Sequence, residues 1–137
     1  MQKMKLLLPA ARLLLASCAT SQSAYRLSGE WNVVNLCGTN IVPADDTPFL
    51  GFDINEGVLY GFTGCNRLTG RLDAAQFLNG KAAIGPLGLT RMLCQDAKYE
   101  TRFVATLDKV AASEIDGDTM YLKDDKGNTL ITLKKKR

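Results

Sequence analysis

Four cysteines, Cys18, Cys37, Cys65 and Cys94, are the residues of this 137-residue chain best suited to chemistry. Cys65 lies in the stretch GFTGCNRLTG, residues 61–70, with Asn66 and Arg67 directly behind it. Such a thiol can serve as a nucleophile, a metal ligand, a redox group or half of a disulfide. The chain contains no histidine, which removes the Cys-His and Ser-His nucleophile pairs and the commonest zinc ligand. Leaving Cys18 aside, only three thiols remain, at near-equal intervals, so a four-ligand zinc site is not expected. Arg67 could lower the Cys65 pKa, but the sequence offers no acid–base partner beside it. In an oxidising compartment the default for a suitably placed pair is a disulfide. Closing the loop from 65 to 94 would contribute on the order of 3.6 kcal/mol in the chain-entropy model. Spacing alone does not choose the pair.

Carboxylates could work without histidine, but Asp45-Asp46, Asp116 with Asp118, and Asp124-Asp125 all stand beside Gly, Pro or Asn. Aspartate goes there for backbone reasons, because its carboxylate caps nearby N–H groups. None follows the acidic spacing of a calcium loop, and no phosphate-binding or dinucleotide-binding glycine motif is present. The expectation is therefore no catalytic residue, no metal and no cofactor.

The elements that must position these groups are short strands. Residues 30–36 read as a strand with a bulge, Trp31 and Val33 facing one way and Val34 and Leu36 the other. A turn through Cys37 and Gly38 and a loop containing Pro43 and Pro48 follow. Residues 49–54 and 57–62 form a hairpin, and 70–77 with 81–84 predict a second one around Asn79-Gly80. Residues 85–95 lack a period and read as an irregular crossing. Tyr99, Phe103, Leu107 and Val110 recur at helical spacing, with Asp96 as the expected N-cap. Three strands, at 113–115, 120–123 and 130–133, end the chain. The fold class expected is mainly β (α+β): a small antiparallel, barrel-like sheet with one covering α-helix.

The first residues are of another kind. Lys3 and Lys5 precede an apolar run from Leu6 to Ala16, too short to span a bilayer, and then Leu15-Ala16-Ser17-Cys18. That ending resembles the lipobox of bacterial lipoproteins, which implies cleavage before Cys18 and lipidation on it. An ordinary cleaved signal with an incidental cysteine is the alternative. The division expected is a signal peptide over 1–17, a lipidated tether over 18–27 and one domain over 28–137. Of 17 basic and 14 acidic residues, the signal holds Lys3, Lys5 and Arg12 and no acid, so the remainder balances. Nucleic acid is not an expected partner. The closing run Lys134-Lys135-Lys136-Arg137 reads as a solvated tail, with an anionic headgroup or partner as the alternative.

Residues 61–70, followed by Leu89-Thr90-Arg91-Met92-Leu93-Cys94, resemble the paired signature of the META domain, the HslJ-like family named for a heat-inducible protein. Gly29-Glu30-Trp31-Asn32-Val33 resembles its opening strand, Glu100, Phe103 and Leu107 its helix, and residues 115–133 its closing hairpin. The resemblance implies a barrel-like envelope domain without established enzymatic activity. It also implies that Cys65 and Cys94 form the disulfide, while Cys37 is left as a free, part-buried thiol. Asn66 suits a left-handed turn. Arg67 and Arg91 would either satisfy backbone carbonyls or form an anion-binding patch.

The function expected is a non-catalytic cell-envelope lipoprotein, acting in stress tolerance or as a binding module. Ala19 after the lipidated cysteine points to the outer membrane, facing the periplasm. The partners expected are the membrane through the lipid, and an envelope protein or small ligand. One alternative is a small-ligand-binding β-barrel, which needs a cavity of roughly 300 Å³. The other is a thiol-redox protein using Cys65 and Cys94.

Overall fold

Side chains alternate across a strand, so apolar residues at every second position give a strand one face to bury. The computed structural model describes residues 24–82 and 84–137. The proposed signal peptide and Cys18 therefore lie outside the described residues. Among the described residues nine strands form one sheet: β1 (Gly29–Leu36), β2 (Thr39–Asn40), β3 (Phe49–Asp53), β4 (Val58–Phe62), β5 (Arg67–Arg71), β6 (Gly88–Leu89), β7 (Ala112–Asp116), β8 (Thr119–Lys123) and β9 (Thr129–Lys135). The order is β6-β5-β4-β3-β1-β9-β8-β7, with β2 paired to β1, and every pairing is antiparallel. The mainly β reading holds, but the sheet is not closed: β6 and β7 stand at opposite ends of the path.

The bulge expected in β1 is present, as a register shift against β9 between Val33 and Asn35. One extra residue resets the alternation, so Leu36 is buried with Trp31 and Val33 instead of facing away from them. These three meet Leu50, Phe52 and Leu59 from β3 and β4, and Met120, Leu122, Ile131 and Leu133 from β8 and β9. Leu27 is fully buried, in a helical turn over residues 24–27, and its carbonyl accepts from Trp31 Nε1 at 2.9 Å.

The hairpin expected around Asn79-Gly80 is instead the end of a helix, α1 (Ala74–Leu78). Asp73 caps its start by accepting from the Gln76 N–H, Asn79 caps its end, and Gly80 follows at φ +86. A left-handed glycine ends a helix as readily as it turns a hairpin, and the Asp-x-x-Gln spacing upstream decides for the helix. The chain then covers the open edge of β7: Ala82 N–H donates to the Ala111 carbonyl, and Ser113 N–H to the Gly80 carbonyl. This protects an edge strand from pairing with another chain.

The main helix, α2 (Glu100–Leu107), buries Phe103 and Leu107, as the spacing predicts, and Thr106 as well, while Val110 is buried just beyond its end. Tyr99, not Asp96, is its N-cap, and no side chain bonds there. Among the described residues no helix is long and apolar enough to cross a membrane.

The basic tail is not solvated as a whole. It continues β9 alongside β1: Lys135 Nζ donates to the Arg26 carbonyl at 2.6 Å and lies 5.1 Å from the Trp31 ring centroid. Lys136 pairs with Glu30 at 3.4 Å and Arg137 with Asp118 at 2.5 Å.

The turn between β8 and β9 shows what the aspartates do. Asp124 accepts from the backbone N–H and side-chain amide of Asn128 and from Lys126 N–H. Those bonds, the Asn128 backbone bond first, favour the charged form and hold its pKa below the ordinary value of 3.8. The contribution is thus complete above pH 3.8 and fades as pH falls through the lower folded-state value. The gap in urea midpoint between the native protein and Asp124→Ala will be full at neutral pH and shrink only below pH 3.8.

Candidate functional site

Residues 63–66 join β4 to β5 in a tight bend built on Thr63. Its buried hydroxyl accepts from the Cys65 N–H (3.2 Å) and the Asn66 N–H (2.8 Å), while its own N–H donates to the Asn66 carbonyl (2.9 Å). Gly64, at φ +100, takes the left-handed position that the sequence reading gave to Asn66. A Cβ at Gly64 would also come within 2.9 Å of the Asp46 carbonyl oxygen, so glycine is needed twice over. Gly61 is needed for proximity alone, since a Cβ there would run into the Phe49 carbonyl oxygen on β3.

Freed from the turn, Asn66 becomes the hub of the signature. It is only 5% exposed, and its side-chain Oδ1 accepts from Thr90 Oγ1 (2.9 Å) and the Met92 N–H (2.6 Å). Its amide nitrogen donates to Glu100 Oε1 (2.7 Å) and the Met92 carbonyl (3.3 Å). Thr90 also bonds β5 directly: its hydroxyl accepts from the Arg67 N–H and its N–H donates to the Arg67 carbonyl, both at 3.0 Å. One amide therefore ties the bend, the crossing segment and the first turn of α2 together.

The disulfide completes the arrangement. Cys65 and Cys94 are bonded, with Cα atoms 5.9 Å apart, which is the pair the family signature implies. Cys65 is buried and Cys94 is exposed. Cys37 is free, as expected, but exposed and not part-buried, because it occupies the left-handed position (φ 50) of the turn between β1 and β2. Its Sγ lies 3.3 Å from Thr106 Oγ1.

Arg67 and Arg91 are brought to the same edge of the sheet by the Arg67–Thr90 bonds, and both are exposed. Neither guanidinium makes a hydrogen bond or an ion pair among the described residues, so the backbone-carbonyl role is not realised there. Among the described residues there is also no group of three or more cysteine or carboxylate side chains placed to hold a metal.

What sequence reasoning missed is the role of Asn66, Thr63, Thr90 and Glu100 as one network. The Thr63-x-x-Asn66 spacing signals the bend, but the partners 24 to 34 residues away depend on the fold. Chemically, the network spends its polar groups on one another, and the described buried side-chain nitrogens and oxygens all have partners. It is built to hold a segment in place. The described clefts open on the surface: about 330 Å³ beside α1 and β7, about 540 Å³ between Tyr25 and Tyr60, about 450 Å³ between Arg26 and Arg137, and about 360 Å³ beneath the 43–47 loop. The sheet interior is packed with side chains, Trp31, Phe52 and Phe103 the largest.

A protein whose solution structure was solved by NMR superposes with a TM-score of 0.60 at 19% identity. The match covers 82% of this chain and 92% of that one, and at such identity it shows the shared fold. No curated protein matches the sequence. The family model of the META domain matches residues 25–137, spanning both halves of the disulfide-linked signature. This chain belongs to the META domain family, which is not known as catalytic.

Proposed function

We propose that this chain is a non-catalytic lipoprotein of the bacterial cell envelope, held by lipid on Cys18 at the outer membrane and facing the periplasm. It works there in stress tolerance or as a binding module, the former following from the family resemblance. The observation that carries the reading is the Cys65–Cys94 disulfide, because such bonds persist in oxidising compartments. The sequence Leu15-Ala16-Ser17-Cys18 supplies the lipidation signal. The commitment of Thr63, Asn66, Thr90 and Glu100 to one another supports an architectural role for the signature.

Metabolic labelling of bacteria with an alkyne palmitate tests the anchor. The native chain will be labelled and will sediment with membranes, whereas Cys18→Ala will be unlabelled and released. A native chain that is unlabelled and stays in the soluble fraction overturns the anchor.

A further inference from the structure

We propose that the outward face of the sheet, beneath the 43–47 loop, binds a small amphipathic anion: a flat apolar body bearing one carboxylate, sulfonate or phosphate. Directly opposed residues of antiparallel strands share a face. Register therefore sets Arg67, Phe62, Phe49, Asn32 and Lys134 in one continuous row across β5, β4, β3, β1 and β9. The adjoining residues Leu68, Gly61, Leu50 and Trp31 are buried, so this row faces outward.

On that face an antiparallel sheet ordinarily carries polar residues. Phe49 and Phe62 instead stand there half-buried, ring centroids 6.1 Å apart, away from the core cluster. The fold has its core without them, and an apolar platform that folding does not require is what a ligand surface looks like.

The platform has a wall. The 43–47 loop is held by the Ala44 N–H bond to Thr47 Oγ1 (2.8 Å) and by the Val33 N–H bond to the Pro48 carbonyl (2.9 Å). Wall and floor enclose about 360 Å³, within the range of small-molecule sites. The rim is cationic. Lys134 is exposed and makes no side-chain bond among the described residues. Lys136 Nζ lies 5.6 Å from the Phe49 ring centroid while pairing with Glu30. Asp45, exposed on the wall, is the acidic residue of the lining, and Lys135 is turned to the opposite face. The apolar body lies on Phe49 and Phe62, the anion meets Lys134, and the Asn32 amide stands between them.

The inference rests on the binding-module part of the proposed function and not on the lipid anchor. NMR titration of the full chain with 2-naphthoate and with 2-naphthamide tests it, because the two probes share a body and differ in charge. Naphthoate will shift the amides of Asn32, Val34, Ala44, Phe49 and Phe62, and will bind about tenfold more tightly than naphthamide. Lys134→Ala will remove that difference, and Phe62→Ala will weaken both probes. Equal affinity for the two, shifts centred on another cleft, or no shifts at all would overturn the proposal. Loss of palmitate labelling would leave it standing, and a failed titration would leave the anchor standing.

Discussion

Replacing Asn66 with leucine will lower the stability of the domain by about 4 kcal/mol with the Cys65–Cys94 disulfide intact. The side chains are similar in size, so the substitution removes hydrogen bonds without opening a large cavity. Four bonds go at once: those to Thr90 Oγ1, the Met92 N–H, the Met92 carbonyl and Glu100 Oε1. A net hydrogen bond is worth about 1 kcal/mol, and a partner left buried and unsatisfied costs about 1–3 kcal/mol. The exposed crossing segment lets water reach some of the abandoned groups, which limits the total. Urea unfolding of the native and Asn66→Leu proteins measures the difference. A loss below about 1 kcal/mol would mean that the amide is a bystander.

The second large loss is expected from the disulfide. The Cys65→Ala/Cys94→Ala variant will be less stable by on the order of 3.6 kcal/mol, because the bridge closes a long loop of the unfolded chain. For a domain of this size that lowers the melting temperature by roughly 15 °C. Calorimetry of the variant, and of the native protein before and after reduction, gives the number. Resistance of the bridge to glutathione-level reduction accompanies an architectural role, whereas ready opening would favour thiol-redox work. The bridge and the Asn66 clamp restrain the same segment, one at Cys94 and the other at Thr90 and Met92. Their losses will therefore not add, and the triple variant will expose the coupling as a departure from the sum.

Glycine positions in the signature explain part of why it reads as it does. Gly64 supplies the left-handed residue of the bend and Gly61 the close approach to β3, so neither marks a flexible active-site loop. Cys65 was open to four chemistries from sequence. The structure leaves it bonded to Cys94 and the neighbouring Asn66 bonded to everything within reach.

Much of the fold was legible because its signals are local. Alternation identified β1, β3, β4, β8 and β9, helical spacing identified α2, and aspartates beside glycine marked turns. The disulfide pair was legible only through the family signature, because spacing is blind to which segments become neighbours. Errors arose where one local signal fits two structures. Asn79-Gly80 serves a hairpin or a helix end, and Asp73 with Gln76 decides between them.

The amino-acid sequence by itself determined the strand and helix faces, the turn chemistry, the exclusion of histidine-dependent catalysis and, through its signature, the family. Only the tertiary structure decided that Asn66 is a hub, that Lys134 and Lys135 belong to the sheet, and that Arg67, Phe62, Phe49, Asn32 and Lys134 form one row. Periodicity is set by residues two to four apart, whereas these juxtapositions depend on register between strands that lie far apart in the chain.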